Sequence, residues 1–256
     1  MPRILIVQSR TDATLINTEQ AEYRRTIGEE AALSFVSSLD ETLAWENPAA
    51  LLAGFDGVIF GGSSDFDFDG GREPNDAARL ASQRILARVQ PLIEWVLATE
   101  FPLFGICYGH QLVGEACGVA VVCDPAQKKR GTFAIALTDA GTHDVLFGTL
   151  PATFLGQYGH KDSLSAVPER AVLLAQSDMC RVSALRYGSR AYTVQFHPEL
   201  TDADMAKRCD GTAAYLPEGC FGEATVRPSP EASTLLRTFI AQVVRLGASV
   251  PQAASV

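Results

Sequence analysis

Nowhere does the chain hold the roughly 18 to 20 consecutive apolar residues that a helix needs to cross a bilayer, so it is not expected to span a membrane. Its early apolar run, Ile4 to Val7 behind Pro2 and Arg3, is too brief for the core of a signal peptide, and no small-residue cleavage pattern comes after it. The expected location is therefore the cytoplasm. Paired cysteines are missing too. The six, at positions 107, 117, 123, 180, 209 and 220, include no C-x-x-C pair and no histidine at zinc-ligand spacing, which argues against a disulfide framework and a structural metal. Cys117, Cys123 and Cys180 lie in apolar or strand-like runs and are expected to be small buried groups. Clustered positive charge is scarce: 21 Lys and Arg face 30 Asp and Glu, for a net charge of -9. A nucleic-acid partner needs a concentrated basic surface, and the one basic run, Lys128-Lys129-Arg130, reads as a solvated loop between strands. No internal repeat and no low-complexity linker interrupts the chain.

Short apolar runs alternating with helical patterns are what is present, and they mark a parallel sheet covered on both faces. Strands are expected at Arg3 to Gln8, Leu33 to Leu39, Phe55 to Phe60 and Pro102 to Ile106, with a helix over about Thr14 to Ile27. Leu80 to Leu97 repeats apolar residues at helical spacing, and Pro91 is expected to break or kink that helix. The second half is richer in strand signals: Gly131 to Leu137, Ala152 to Tyr158, Ala171 to Gln176, Val182 to Tyr187 and Ala191 to Phe196. Their tight connections suit antiparallel additions. A helix from about Pro230 to Leu246 closes the unit, with Glu231 near its start where the dipole favours negative charge. With 256 residues, 47% of them hydrophobic, the expectation is one α/β domain over 1–247 and a frayed tail over 248–256.

The most informative stretch is Phe104-Gly105-Ile106-Cys107-Tyr108-Gly109-His110-Gln111-Leu112. It matches the pattern G-x-nucleophile-x-G, in which a strand turns sharply into a helix and presents one side chain at the strand's C-terminal edge. Glycines flank the nucleophile because a Cβ two positions away on either side would strike the neighbouring chain in so tight a turn. A sulfur at a helix N-terminus is also stabilised as the thiolate, the form that attacks. Taken alone, the pattern fits a plain strand-to-helix turn around a buried cysteine equally well. A second segment adds chemistry: Tyr192-Thr193-Val194-Gln195-Phe196-His197-Pro198-Glu199 ends a strand in a histidine with a carboxylate two residues on. Such a histidine can take the thiol proton and later deliver one to a leaving amine, while the carboxylate sets its tautomer and orientation.

The motifs G-I-C-x-G-x-Q and F-H-P-E, together with the Gly61-Gly62 turn after the preceding core strand, stand in the order found in class I, triad-type glutamine amidotransferases. From about Ile4 to Ile240 the chain resembles that family and is similar to the amidotransferase domain of GMP synthase. The resemblance implies a flavodoxin-like α/β fold: a mainly parallel open sheet with helices on both faces and antiparallel additions in the second half. It implies Cys107 as nucleophile, His197 as base and Glu199 as the group that orients the base. The backbone N–H groups of Gly62 and Tyr108 become the oxyanion hole, and Gln111 becomes a contact to bound glutamine. Gly156-Gln157-Tyr158-Gly159-His160-Lys161-Asp162-Ser163 resembles the family's second substrate loop, which would set His160 and Asp162 close to the substrate's α-amino and α-carboxylate groups; by residue type the pair also fits a hydrogen-bonded turn. No metal or cofactor is implied, and His110 and His143 are expected in helix packing and in a turn.

Two departures stand out. Where many family members have Gly-Gly-Pro, this chain has Gly61-Gly62-Ser63-Ser64-Asp65, without the stiffening proline. The segment from Asp65 to Pro74 is longer and more acidic than a minimal version, and reads as a solvated loop, a lid or a docking surface; its aspartates are not at EF-hand spacing. The implied reaction is acyl transfer, in which Cys107 attacks the γ-carboxamide, ammonia leaves, and water resolves a γ-glutamyl thioester to glutamate. The stretch after His197 is too short for a second catalytic domain, so an ammonia acceptor is expected on a partner synthase. A self-sufficient γ-glutamyl hydrolase or peptidase uses the same chemistry and stays open. A non-catalytic binding protein of this fold is the third reading, against which the intact Cys107, His197 and Glu199 weigh.

Overall fold

Arg3–Gln8 (β1) sends alternate side chains into two separate apolar cores, and that alternation sets the architecture. Ile4 and Ile6 join one core and Leu5 and Val7 the other, so the strand needs cover on both faces, as a central parallel strand does. In this computed structural model, which describes residues 1–211 and 225–245, the chain continues through α1 (Ala13–Ile27), β2 (Ala32–Ser37), α2 (Pro48–Leu51), β3 (Gly57–Phe60), α3 (Ala77–Ala98), β4 (Leu103–Ile106) and α4 (Tyr108–Ala116). Next come β5 (Val121–Val122), β6 (Lys129–Leu137), α5 (Asp139–Thr142), β7 (Thr153–His160), β8 (Ser163–Leu164), β9 (Ala171–Ser177), β10 (Cys180–Tyr187), β11 (Ala191–Val194), α6 (Asp202–Gly211) and α7 (Leu235–Phe239). Nine strands form one sheet in the order β2-β1-β3-β4-β11-β10-β9-β6-β7. Every pair from β2 to β11 is parallel, and the remaining four strands add on antiparallel, which is the α/β arrangement the sequence implied. Tyr23 and Ile27 of α1 and Leu235, Leu236 and Phe239 of α7 fill one core, while α3 and α4 fill the other.

Four expectations need correction. Pro91 does not break its helix: α3 runs unbroken from Ala77 to Ala98. A proline in a helix interior costs about 3 kcal/mol, whereas Ile85, Val89, Leu92, Ile93 and Val96 around it are all buried, each such side chain stabilising by about 1.5–3 kcal/mol. The basic run is not a solvated loop, because Lys129 opens β6 opposite His160 of β7 and is only 1% exposed. Its ammonium lies 4.7 Å from the Phe133 ring and 4.6 Å from the Tyr158 ring and donates to Ser177 Oγ, cation–π contact partly replacing the lost water. Burial pushes its pKa down to about 8. Cys117 and Cys123 are half-buried rather than buried, unlike Cys180. The closing helix is composite, a 3-10 turn at Ala232–Thr234, then α7, then a π-helical stretch at Ile240–Arg245; the tail over 248–256 lies outside the described residues.

Parallel strands end on the same edge, and the C-terminal ends of β3, β4 and β11 are neighbours there. Gly61-Gly62, Cys107 and the Gln195–Glu199 segment all come directly after these ends, which is how residues far apart in sequence share one crevice.

Candidate active site

Cys107 links β4 to α4 at φ 51, in the left-handed region that a residue with a Cβ seldom adopts. The turn is held by its neighbours: the Cys107 N–H donates to the Val194 carbonyl at 2.8 Å, and the Gln111 N–H to the Cys107 carbonyl at 3.0 Å. Both flanking glycines are needed for space. A Cβ on Gly105 would lie 2.9 Å from the Gly109 carbonyl oxygen and from Thr193 Cγ2, and one on Gly109 would lie 2.3 Å from the Phe60 carbonyl oxygen. Tyr108 is the first residue of α4, so its N–H has no acceptor within the helix. Its ring is buried, with the hydroxyl donating to Ser82 Oγ at 3.1 Å. His110, fully buried, packs this helix with Nδ1 2.7 Å from Thr193 Oγ1.

Val194 pairs with Ile106 in the β11–β4 ladder, so the next residues along, Gln195 and Cys107, are side by side. Two residues further, the His197 N–H donates to the Gln157 carbonyl at 2.8 Å. His197 Nδ1 lies 2.6 Å from Glu199 Oε1. A carboxylate only accepts, so Nδ1 carries the hydrogen and Nε2 is the ring nitrogen left for the hydrogen bond with Cys107. Burial opposes charge on this ring, yet the Glu199 carboxylate and the Cys107 sulfur outweigh it and raise the His197 pKa to about 10. Burial likewise opposes ionisation of Glu199, and the facing imidazolium more than offsets it, so its pKa is lowered. Glu199 itself is fixed from α1: Thr26 Oγ1 and the Arg25 guanidinium donate to its backbone carbonyl at 3.0 and 2.9 Å.

Gly62 lines the same crevice, since a Cβ there would lie 3.1 Å from His197 Cε1 and 3.8 Å from Cys107 Cβ. Side-chain hydrogen bonds do the stiffening that a proline would have done in the turn beyond it. Ser63 Oγ accepts from the amides of Asp65 and Phe66 at 3.1 and 3.2 Å, and Asp65 accepts from the amide and hydroxyl of Thr11 at 2.7 and 2.6 Å. Arg10, buried and ion-paired to Glu19 at 3.0 Å, donates to Ser64 Oγ at 3.2 Å. The acidic stretch beyond is strapped down as well. Asp67 pairs with Arg72 and Lys161 at 2.7 and 2.9 Å, and Phe68 stacks on Tyr108 with ring centroids 5.5 Å apart.

The structure therefore brings Cys107, His197, Glu199, Gly62, Tyr108 and Gln111 to one place. His160 and Asp162 are buried beside it, and the Asp162 carboxylate is spent on the acidic loop, accepting from the amides of Asp69 and Gly70 at 2.9 and 2.7 Å. His160 Nδ1 lies 3.0 Å from the Asp162 carbonyl, and burial lowers its pKa to about 3, which leaves the ring neutral. His143 comes after a short exposed turn of helix. One residue escaped the sequence reading. Gln195, fully buried, has its Nε2 3.4 Å from Cys107 Sγ, and a polar side chain inside the otherwise apolar run before His197 was the available signal. Among the described residues no three His, Cys, Asp or Glu side chains are grouped to hold a metal, and no helix is long and apolar enough to cross a membrane.

Comparison with known proteins accords with this geometry. The family model described as glutamine amidotransferase class-I matches residues 77–209. The glutamine-hydrolysing subunit of GMP synthase from Methanocaldococcus jannaschii is 32% identical over 120 residues, which are 46% of this chain and 62% of that protein. Its namesake from Methanopyrus kandleri is 36% identical over 105 residues, 41% of this chain and 54% of the relative. For the one from Methanococcoides burtonii the figures are 33% over 136 residues, 53% and 70%. The chain thus spans less than two-thirds of the first two of these relatives. Among solved structures, a glutamine amidotransferase from Thermotoga maritima superposes with a TM-score of 0.68 at 17% identity, covering 95% of this chain and 98% of its own. One from Methylobacillus flagellatus gives 0.60 at 20%, covering 96% and 90%; at such identities the likeness is one of fold.

Proposed function

Because this chain belongs to the class-I glutamine amidotransferase family, we propose that it hydrolyses the side-chain amide of glutamine through a γ-glutamyl thioester on Cys107, releasing glutamate and ammonia. The observation that carries the reading is the buried relay Cys107–His197–Glu199, with His197 Nδ1 committed to Glu199 at 2.6 Å and held charged by its two neighbours. An imidazolium beside the sulfur leaves Cys107 as thiolate, which attacks the γ-carbonyl carbon. The oxygen that gains the electron pair is met by the N–H groups of Tyr108, unused within α4, and of Gly62 across the crevice. His197 then passes its proton to the departing amine, so ammonia leaves neutral and a thioester remains. Water, losing a proton to the now neutral His197, attacks the thioester and regenerates the pair as glutamate departs. Glu199 keeps the ring oriented throughout and offsets its charge. Ammonia then passes to an acceptor on a partner synthase, a reading supported by relatives that are named as one component of GMP synthase.

The test is a substrate panel scored by glutamate and ammonia release: L-glutamine, γ-glutamyl dipeptides and glutathione, with Cys107→Ala as the blank. Release from glutamine that vanishes in the variant is the expected result. Preference for the peptides would turn the assignment to a γ-glutamyl hydrolase, and equal release by parent and variant would end it.

A further inference from the structure

A chain of side-chain amides runs from Asp162 to the Cys107 sulfur, and only one pattern of donors and acceptors satisfies it. The Asp162 carbonyl can only accept, so the Gln111 atom 2.8 Å away is its NH2 group. The same NH2 group faces Gln195 at 3.3 Å, which makes the Gln195 atom there its carbonyl oxygen. The other end of that amide, Nε2, is then the atom 3.4 Å from Cys107 Sγ. Turning either amide over would set two donors or two acceptors against each other. The backbone gives the chain no slack: the Gln195 N–H is fixed on the Ser183 carbonyl at 2.9 Å, and Asp162 is tied by its carboxylate to Asp69 and Gly70.

We propose that Gln195 is a thiolate-binding residue, its Nε2–H donating to ionised Cys107, and that Gln111 is the positioning residue that keeps this amide from turning over. The proposal rests on Cys107 being the nucleophile. It supplies something the His197 contact does not. Cys107 is only 4% exposed, so an anion there has little water to solvate it, and a buried charge is tolerable only when several donors share it. Gln195 adds a neutral donor from the β11 side, while His197 adds a charged one. When the sulfur is acylated the negative charge leaves it, and the Gln195 contact weakens without any proton moving. The acidic loop is joined to the same chain through Asp162, so its attachment also bears on the orientation of Gln195.

Alkylation of Cys107 by iodoacetamide, tracked across pH by mass spectrometry of its peptide, reads thiolate formation without any substrate. In Gln195→Leu the pH–rate profile is expected to move to higher pH by about one unit, the size of a net hydrogen bond to a charged group, and in Gln111→Leu by less in the same direction. A folded Gln195→Leu, checked by its melting curve, that alkylates with the parent's profile overturns the proposal even if ammonia release is lost, because a merely structural role would leave that profile in place. Should the variant not fold, the parent itself serves: the side-chain amide resonance of Gln195 is expected to shift on alkylation of Cys107 and in Cys107→Ser, and an unmoved resonance overturns it. A parent that alkylates at Cys107 as expected but releases no ammonia would refute the glutaminase reading alone, so the two failures are distinguishable.

Discussion

Gly109→Ala puts the geometry of the nucleophile turn to the sharpest test. Gly109 sits in the first turn of α4 with no positive φ, so alanine is conformationally welcome and even favoured by up to about 1 kcal/mol of helix propensity. The whole penalty is steric. The new Cβ would lie 2.3 Å from the Phe60 carbonyl oxygen and 2.7 Å from Phe60 Cβ, well short of ordinary contact, and backbone cannot rotate out of the way as a flexible side chain can. The first turn of α4 must draw back from β3, a shift that also strains the Gly109 N–H bond to the Gly61 carbonyl at 3.1 Å. Overpacking of this kind costs about 1–3 kcal/mol, so after the propensity gain the net loss is about 1–2 kcal/mol. The functional loss is larger, because the movement separates the Tyr108 amide from Gly62 across the crevice, and a misplacement of about 1 Å reduces rate by about 100-fold. Glutamate release and chemical denaturation measure the two effects, with Gly159→Ala as control, since a Cβ there meets nothing within 4 Å. A Gly109→Ala protein with the parent's stability and the parent's activity would refute the argument.

Asp162→Ala removes the acceptor of two backbone amides and is expected to cost about 2 kcal/mol and to raise hydrogen exchange at Asp69 and Gly70; unchanged exchange at those two amides would show that the acidic loop is held by its other contacts. Lys129→Met tests the buried ammonium through pH. Burial holds the folded pKa at about 8, below its ordinary 10.5, so between those values the unfolded chain binds the extra proton and parental stability from this group rises with pH. The methionine variant lacks that rise, and its stability relative to the parent is expected to fall steadily between the folded pKa of about 8 and the ordinary 10.5; a constant difference across that window would contradict the burial argument.

Much of the site was legible because its parts are local. A glycine on either side of Cys107 reports a turn that leaves no room for a Cβ, and the folded chain supplies the atoms each Cβ would strike. Glu199 two residues after His197 reports a carboxylate within reach of the ring. The alternation of Ile4, Leu5, Ile6 and Val7 reports a strand with a core on each side. Other features were illegible for an equally physical reason. A charge run such as Lys128 to Arg130 carries no mark of which residue the ladder will turn inward, and it turned Lys129 in against Phe133 and Tyr158. Asp162 looked like a substrate ligand, but its partners are amides at positions 69 and 70, and no periodicity connects them. Pro91 predicted a break because its local cost was visible and the burial on either side of it was not summed.

Sequence alone determined the chemistry available here: one strand-to-helix turn that offers a sulfur, one strand end that offers an imidazole and a carboxylate, and the parallel pattern that sends both to the same edge. Tertiary structure decided how those groups are held. It set Thr26 and Arg25 of α1 behind Glu199, tied the proline-free turn at Gly62 to Thr11 and Arg10, and ran an amide chain from Asp162 through Gln111 and Gln195 to the sulfur. Bond chemistry belongs to a residue and travels with its letter, whereas orientation belongs to contacts between segments that meet only once the chain has folded.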